Sequence, residues 1–298
     1  MHELPRVAII GVTGFIGRGL PALFAEKGMK VTGISRTGKH ADIAGIDQWQ
    51  STDALDFSGH RAVVNLAGEP IDQRWTAASR RLFRESRVGL TAKVVAAISQ
   101  LPENARPQVL ANGSAVGFYG DRGDEILTEK SQRGEGYLAD LCVDWEDAAK
   151  DAESLGLRVV LLRTGVVLGK GGSAFEKIRK VFKLGLGGRI GSGRQWMPWV
   201  HVADVQAAIV QAVTSENLTG PVNVTAPVAE RNADYTRKLA AAMHRPAIFS
   251  VPAFALRLVV GDFANALLTG QRPLPAALEA VGFRFQFPDL ESALRDLV

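Results

Sequence analysis

The chain has 298 residues, with 35 lysines and arginines against 31 aspartates and glutamates, and one cysteine. A single cysteine excludes an internal disulfide framework and a zinc site built from cysteines. A surplus of four positive charges is small for this length. It therefore indicates no dedicated surface for nucleic acid or membrane unless the basic residues cluster. Because no targeting segment and no run long enough to span a bilayer is recognisable, we expect a cytoplasmic protein.

Short apolar runs alternate with amphipathic segments through the first half of the chain. The expected strands cover residues 6–10, 30–34, 61–66, 109–111 and 158–162. The expected helices cover residues 14–27, 76–100 and 136–155. Alternation of this kind implies parallel strands joined by right-handed helical crossovers. The sequence thus predicts an α/β fold with a Rossmann-type, doubly wound parallel sheet.

The second half has a different character. Residues 165–194 are dense in glycine; a strand near 199–201, a helix at 203–214 and a strand at 221–225 follow. Beyond residue 231 the pattern is mostly helical, with prolines as interruptions. We expect an NAD(P)-binding domain over 1–165 and about 199–226. A smaller, mostly helical substrate lobe over about 166–198 and 227–298 would cover the carboxyl ends of the strands.

A glycine-rich turn follows the first expected strand. It reads Gly11-Val-Thr-Gly14-Phe-Ile-Gly17 and leads into a helix. Glycines at this spacing permit a tight turn, let the backbone approach a pyrophosphate and let the helix pack closely on the sheet. Because the motif lies on the first strand–turn–helix unit, it predicts a dinucleotide site. The residues expected to line it are Gly11, Thr13, Gly14, Phe15, Ile16 and Gly17.

The end of the second strand indicates which dinucleotide is bound. An NAD site usually has a carboxylate here for the ribose 2′-hydroxyl. This chain instead reads Ile34-Ser35-Arg36-Thr37. A hydroxyl and a guanidinium suit a 2′-phosphate, so the sequence favours NADP(H). The alternative is that Arg36 is a solvated surface residue.

These residues together resemble the short-chain dehydrogenase/reductase superfamily in its extended, epimerase-like branch. The chain is most similar to an atypical subfamily of NADP-dependent "epimerase family" proteins. The similarity covers essentially the whole chain and includes a C-terminal module that the subfamily carries over 251–257, 270–272 and 288–290. The segments that carry the rest of it are Asn65-Leu-Ala-Gly-Glu-Pro70, Ser114-Ala-Val-Gly-Phe-Tyr-Gly-Asp-Arg-Gly123, Arg163-Thr-Gly-Val-Val-Leu-Gly169 and Gly185-Leu-Gly-Gly-Arg-Ile-Gly-Ser-Gly-Arg-Gln-Trp196.

The resemblance implies further cofactor contacts. It places Ser35 and Arg36 at the ribose phosphate, and it adds Leu66, Ala67, Gly68, Arg87 and Val167 around the cofactor. Arg80 and Arg84 share a helix face with Arg87 and are interpreted as solvated residues. The resemblance also allows the helices over 76–100 and 136–155 to pair across a homodimer.

The catalytic pattern of the superfamily is incomplete in this chain. Its members use a serine, a tyrosine and a lysine four residues after the tyrosine, and Ser114 matches the serine. If Glu146 is the glutamate that follows the lysine in the family, Leu138 and Cys142 occupy the tyrosine and lysine positions. None of the three tyrosines has a lysine four residues downstream. The usual proton-transfer pair is therefore absent from the chain.

Two tyrosines are candidates to replace the missing acid. Tyr137 lies one residue from the expected position, and Tyr119 follows Ser114 closely. The alternative is that Tyr137 packs at a helix start and that Tyr119 is a structural residue of a turn. Cys142 is interpreted as a small buried hydrophobe and His201 as a structural histidine.

Two functions therefore stay open at this point. The first is an NADP(H)-dependent oxidoreductase or epimerase-like enzyme that acts on an unknown small carbonyl or hydroxyl substrate. The second is a non-catalytic NADP(H)-binding protein that senses redox state or regulates a partner. The glycine-rich segment 185–195 and the tryptophans after it either line a substrate pocket or form a structural loop. The scattered histidines predict no metal site, and nothing beyond the pI suggests nucleic acid as a partner.

Overall fold

The computed structural model describes residues 4–38 and 42–298. The strands are β1 (Arg6–Ile10), β2 (Lys30–Ser35), β3 (Gln48–Ser51), β4 (His60–Asn65), β5 (Val109–Ala115), β6 (Ile126–Leu127), β7 (Arg158–Thr164), β8 (Val166–Leu168), β9 (Gly188–Ile190), β10 (Trp196–Met197), β11 (Trp199–His201), β12 (Gly220–Val224), β13 (Glu230–Arg231), β14 (Phe249–Val251) and β15 (Arg272–Pro273). The α-helices are α1 (Leu20–Glu26), α2 (Ala77–Arg84), α3 (Leu90–Ser99), α4 (Tyr137–Lys150), α5 (Ser173–Lys183), α6 (Val202–Thr214), α7 (Asn232–Ala242), α8 (Ala253–Val260), α9 (Phe263–Leu268), α10 (Ala276–Ala280) and α11 (Leu290–Leu297).

A seven-stranded sheet forms the centre of the molecule, in the order β12-β7-β5-β4-β1-β2-β3. All neighbouring strands in it are parallel. Along β1, Val7 and Ile9 enter the core on one face, and Ala8 and Ile10 enter the core on the other. Strands buried on both faces are expected where helices cover both sides of a parallel sheet. The predicted doubly wound fold is confirmed.

The strand order reverses at β1, which lies between β2 and β4. In open sheets of this kind, ligands bind in the crevice at the carboxyl ends of the strands that flank such a reversal. The glycine-rich turn follows β1, and residues 66–68 follow β4. Both segments of the predicted cofactor site therefore border one crevice.

A smaller, mostly helical lobe packs beside these strand ends. Its core contains Phe175 from α5, Trp199 from β11, Leu239 from α7 and Leu294 from α11. Four two-stranded pairs connect its segments: β10 with β13, β11 with β8, β14 with β9, and β15 with β6. Within the described residues, no helix has the length and apolarity needed to cross a membrane.

Several expected elements differ in detail. The helix expected over 14–27 begins later, as a 3₁₀ turn over Gly17–Gly19 followed by α1, because residues 11–16 turn back on themselves. The helix expected over 76–100 is α2 and α3 joined by a π-helical turn, Glu85–Gly89. The helix expected over 136–155 is α4 followed by a 3₁₀ turn. Strand β3 was not predicted, because it is a partly exposed edge strand of mostly polar residues.

Candidate functional site

The glycine-rich turn needs glycine because other backbone segments crowd it. Gly11 has a φ of +81°, and a Cβ atom on it would lie 3.1 Å from the Ala67 nitrogen and the Leu66 carbonyl carbon. A Cβ atom on Gly17 would lie 2.4 Å from the Gly11 oxygen. A side chain at Gly11 would push the turn away from the loop after β4. A side chain at Gly17 would push the start of the helix away from Gly11, the first residue of the turn. The structure thus brings together Gly11, Gly17, Leu66 and Ala67.

The middle of this turn contacts the segment after β8 and helix α6. A Cβ atom on Gly169 would lie 2.5 Å from the Phe15 ring, so the ring packs directly on this glycine. The Gln206 side chain of α6 donates a hydrogen bond of 2.9 Å to the Ile16 oxygen. Val167 lies in β8, just before Gly169, and is half-buried. The segment that contains Val167 therefore borders the turn that contains Thr13, Gly14 and Phe15.

The end of β2 presents the two residues that indicate the dinucleotide. Ser35 is buried, and its Oγ accepts a hydrogen bond of 3.1 Å from the Gly38 nitrogen. The Arg36 oxygen accepts a hydrogen bond of 3.1 Å from the Ser51 hydroxyl, while the residue itself is exposed. Arg36 forms no salt bridge with another residue in the described part of the chain. The Arg36 guanidinium therefore remains accessible to an anion.

Arg87 lies on the π-helical turn and points at the loop after β4. A Cβ atom on Gly68 would lie 2.9 Å from the Arg87 Cζ. Its Nη1 donates to the Glu69 oxygen at 2.9 Å, and its Cζ lies 5.3 Å from the Trp145 ring centre. Burial lowers the pKa of Arg87, and the neighbouring Cys142, Tyr137 and Glu69 oppose that shift. A half-buried guanidinium of this kind suits an acceptor-rich ligand in the crevice.

Ser114 belongs to a buried ion-pair network at the end of β5. Its hydroxyl donates to Glu146 Oε1 at 2.7 Å. Arg163 donates to both oxygens of Glu146, at 2.7 and 2.8 Å, and the two side chains are 4% and 0% exposed. Burying such charges is tolerated only when they are fully paired. The Ser114 hydrogen is therefore committed to Glu146, and the Ser114 oxygen remains available as an acceptor.

Tyr119 is part of the same network. Its hydroxyl donates to Asn223 Oδ1 at 2.7 Å and accepts from Arg163 Nη1 at 3.0 Å. The side chain is fully buried, and burial raises the pKa of Tyr119 despite the nearby guanidinium. This geometry favours the structural interpretation of Tyr119 over the catalytic one.

Tyr137 is half-buried at the first residue of α4 and contacts α2. Its ring centre lies 5.3 Å from that of Trp75, and the Arg80 guanidinium lies 4.6 Å from the Tyr137 ring centre. Its hydroxyl donates to the Arg80 oxygen at 3.2 Å. Burial raises the pKa of Tyr137, while Arg80, Arg87 and Arg84 act to lower it. The Tyr137 hydroxyl is thus bonded to the backbone of α2, whereas the Ser114 hydroxyl is bonded to Glu146.

One face of α4 presents Leu138 and Cys142 to the turn after Ser114. A Cβ atom on Gly117, in the turn after Ser114, would lie 3.3 Å from Leu138 Cβ and 3.8 Å from the Cys142 sulfur. These two residues, which the sequence register assigns to the family's tyrosine and lysine positions, therefore lie beside this turn. Burial, reinforced by the charge of Glu146, raises the pKa of Cys142 to about 12. The thiol stays neutral, as expected for a buried hydrophobe.

Two features of the site were not predicted. A buried polar cluster underlies the loop after β4: Asn65 Nδ2 donates to Thr91 at 3.0 Å and to Asn112 at 2.8 Å, and Trp145 Nε1 donates to Thr91 at 3.0 Å. The sequence signal that could have indicated this cluster is the pair of asparagines in the adjacent strands β4 and β5, Asn65 and Asn112.

The second unpredicted feature is a clasp across the crevice. Asp72, in the loop after β4, accepts hydrogen bonds from the Ser173 hydroxyl at 2.7 Å and from Lys177 Nζ at 2.5 Å, both on α5. We call this set the Asp72 clasp. No local pattern could have shown it, because its partners are about a hundred residues apart in sequence.

The remaining candidates have structural contacts. His201 caps α6, where its Nδ1 accepts from the Ala203 nitrogen at 3.2 Å, and its ring packs against Phe287. Trp199 is buried in the lobe core, whereas the half-buried Trp196 donates to Asp124 at 2.8 Å. Over residues 4–38 and 42–298, no group of three or more metal-ligating side chains is placed to hold an ion.

Comparisons with known proteins agree with this geometry. The family described as "NAD dependent epimerase/dehydratase family" matches residues 7–225, and a domain of unknown function, DUF1731, matches residues 251–297. The chain is 40% identical over 295 residues to the epimerase family protein Mb2239 of Mycobacterium bovis, covering 97% of this chain and 96% of that protein. It is 36% identical to the chloroplastic SDR39U1 homolog of Arabidopsis thaliana, covering 98% and 86% of the two chains.

Among solved structures, the human epimerase family protein SDR39U1, solved with NADPH, has a TM-score of 0.89 and 33% identity. The match covers 98% of both chains. MoeE5, solved with UDP-glucuronic acid and NAD, has a TM-score of 0.78 at 19% identity and covers 98% and 97% of the two chains. At that identity the similarity to MoeE5 extends to the fold alone. The predicted subfamily and its C-terminal module are confirmed.

Proposed function

This chain belongs to the NAD dependent epimerase/dehydratase family, and we propose that it binds NADP(H) and acts as an oxidoreductase or epimerase-like enzyme on a small carbonyl or hydroxyl substrate. The observation that carries the proposal is the contact of the glycine turn with Leu66 and Ala67 at the point where the strand order reverses. That contact builds a backbone-lined crevice of the kind that holds a pyrophosphate. The NADPH in the human structure, which is 33% identical, supports it.

The chain's own residues would hold the cofactor in three places. The turn Gly11–Gly17 would receive the pyrophosphate, and Ser35 and Arg36 would bind the 2′-phosphate. Arg87, the backbone of residues 66–68 and Val167 would hold the ribose and nicotinamide side. When bound, the cofactor supplies or accepts the hydride.

The test of the cofactor assignment is a fluorescence titration with NADPH and NADH. We expect clearly tighter binding of NADPH, and Arg36→Ala should weaken NADPH binding by about 10- to 100-fold, since charged hydrogen bonds contribute roughly 1.5–3 kcal/mol. NADH affinity should change little, because NADH has no 2′-phosphate. Equal affinity of the wild-type chain for both dinucleotides would overturn the assignment.

Ser114 would orient the reacting oxygen of the substrate. Because its hydrogen is donated to Glu146, Ser114 presents a lone pair, which suits a substrate hydroxyl better than a carbonyl. A proton for a carbonyl substrate would then have to come from another group. Tyr137 is the candidate, since the Tyr119 hydroxyl has both a donor and an acceptor partner in the buried network.

The test of this chemistry is NADPH consumption across a panel of carbonyl compounds and NADP⁺ reduction across the matching alcohols. We expect Ser114→Ala and Tyr137→Phe each to lower kcat by about 100-fold or more, as is typical for lost acid–base groups. Ser154→Ala is the control, because that exposed serine lies in the turn after α4 and bonds only the Asp151 oxygen. If both variants retain full turnover, the reacting centre lies elsewhere.

One observation favours the second candidate function, a non-catalytic NADP(H)-binding redox sensor or regulator. Leu138 and Cys142, which the sequence register assigns to the positions of the superfamily's proton-transfer pair, face the turn after Ser114. A regulatory protein should bind NADPH and NADP⁺ with different affinities, turn over no substrate, and change amide exchange in the lobe between the two redox states. An enzyme should show turnover that Ser114→Ala removes.

A further inference from the structure

Two segments of the chain are strictly basic. Residues 177–203 and 235–261 together contain ten lysines and arginines and no aspartate or glutamate. The whole chain has a net charge of only +4, so the remainder is net negative. The expectation that the protein has no membrane surface depended on dispersed basic residues. Because ten basic residues lie in two segments that contain no acidic residue, the basic residues are not dispersed.

The same two segments hold most of the exposed apolar side chains. The described residues include thirteen exposed large hydrophobic side chains, and eight of them lie in these segments. The eight are Val181, Leu184, Leu186, Ile248, Phe249, Phe254, Leu258 and Val259. Phe254 and Leu258, one turn apart on α8, are 75% and 78% exposed. Concentration of this kind marks an interaction surface, since single apolar residues are normally scattered.

The fold places the two segments side by side. Strand β9 pairs in parallel with β14, with Gly188 opposite Phe249. Leu186 therefore precedes β9 at the same end of this pair at which Ile248 precedes β14. Helix α8 continues directly from β14, and none of its residues is buried. We call these eight apolar side chains and the basic residues around them the basic–apolar face.

Six of the ten basic residues in these segments form no salt bridge with a residue the structure describes. All six are exposed: Lys180, Lys183, Arg189, Arg194, Arg245 and Arg257. Among the others, Lys177, Arg179, Arg237 and Lys238 pair with acidic residues. Arg189 also lines a surface groove of about 470 Å³ together with Ile248 and Phe249. Uncompensated positive charge thus lies next to exposed apolar surface.

We propose that the basic–apolar face binds the surface of an anionic lipid bilayer. Helix α8 would lie in the interface with Phe254, Leu258 and Val259 among the upper acyl chains, while the arginines and lysines contact headgroup phosphates. A lipid surface fits better than a folded protein partner because the outward apolar residues are aliphatic and aromatic, and the unpaired charges of the two segments are all positive. The proposal does not depend on the proposed function, since it uses none of the crevice residues.

The test is co-sedimentation of the full chain with vesicles of phosphatidylglycerol and phosphatidylcholine in equal parts, compared with phosphatidylcholine alone. We expect binding to the anionic vesicles only. The paired change Phe254→Ser with Leu258→Ser should lower the partition coefficient by about tenfold or more, as should Lys183→Glu with Arg257→Glu. The control pair, Leu82→Ser with Ile126→Ser, alters side chains that are 48% and 50% exposed outside the face and should leave binding unchanged.

Three results would overturn the proposal. The first is no binding to the anionic vesicles, and the second is equal binding to both vesicle types. The third is a wild-type chain that sediments as a dimer which the Phe254→Ser/Leu258→Ser variant cannot form, because the face would then bind a second copy. Thermal unfolding monitored by circular dichroism verifies that each variant is folded, and the control pair accounts for any general effect of removing surface apolar groups.

Discussion

The two sides of the crevice hold their charged groups differently. On the sheet side, Glu146 and Arg163 are 0% and 4% exposed and are joined by two hydrogen bonds. On the lobe side, the Asp72 clasp uses side chains that are 20% and 62% exposed. Water and salt screen the second pair far more than the first. We therefore expect the sheet side to stay fixed and the contact of the lobe with the loop after β4 to open more readily.

The largest expected effect comes from breaking the fixed side. Glu146→Ala leaves the buried Arg163 guanidinium without its charge partner and should lower the free energy of unfolding by about 3–5 kcal/mol, measured by urea denaturation. Lys177→Met is the matched change at the Asp72 clasp. Its side chain is 62% exposed and pairs with Asp72, so the loss should be at most about 1 kcal/mol. If the two variants lose similar amounts of unfolding free energy, the ion pairs on the two sides of the crevice contribute equally to stability.

An intermediate effect should follow from crowding the glycine turn. In Gly17→Ala the new Cβ atom would lie 2.4 Å from the Gly11 oxygen, so the backbone must move. Overpacking of this kind costs about 1–3 kcal/mol, and we expect NADPH affinity to fall by about 10-fold or more in a fluorescence titration. Gly89→Ala is the control, because nothing lies within 4 Å of its added Cβ. Unchanged NADPH affinity in Gly17→Ala would show that the sheet-side turn is not rigid.

The smallest effect is expected on the lobe side, at the Asp72 clasp. Burial raises the pKa of Asp72, but hydrogen bonds from Lys177 and Ser173 outweigh this and hold it below its ordinary value of 3.8. Its contribution to stability is therefore present above that value and is lost as the pH falls through the lowered pKa. Asp72→Asn should cost at most about 1 kcal/mol of stability and speed NADPH release a few-fold in stopped-flow measurements.

Salt and a matched variant give the control for the clasp. Added salt should speed NADPH release from the wild-type chain and have less effect on Asp72→Asn, because it screens an exposed pair. Asp147→Asn removes a different exposed pair, with Lys150, and should leave release unchanged. If neither Asp72→Asn nor added salt changes the rate of NADPH release, the clasp does not retain the cofactor.

The sequence predicted the features that local patterns determine. Alternating apolar runs predicted the sheet, and the glycine spacing predicted the turn after β1. The register anchored at Glu146 assigns Leu138 and Cys142 to the family's tyrosine and lysine positions, and that assignment stays a prediction. In the structure both side chains lie near the turn after Ser114. Each of these features can be recognised from residues that are close in sequence or that lie one helical turn apart.

Features that depend on distant partners could not be predicted. Tyr119 reaches Asn223 and Arg163 across the fold, so only the structure shows that its hydroxyl is fully bonded. A helical period alone cannot reveal that Tyr137 bonds the Arg80 backbone. The net charge of +4 is a total over the whole chain, so it does not show that residues 177–203 and 235–261 contain basic but no acidic residues.

The join between the sheet and the C-terminal module bears on how such chains evolve. The buried Asp204 carboxylate accepts hydrogen bonds from the Gln286 and Phe287 nitrogens, at 2.7 and 3.0 Å. Glu129 likewise accepts from both Asn223 and Ala277, each at 3.0 Å. Although the two regions match separate families, acceptors in one are satisfied by donors in the other. A gene that lost the second region would lack both backbone donors of Asp204 and one of the two donors of Glu129. We therefore expect the two regions to unfold as one cooperative unit and to be inherited together.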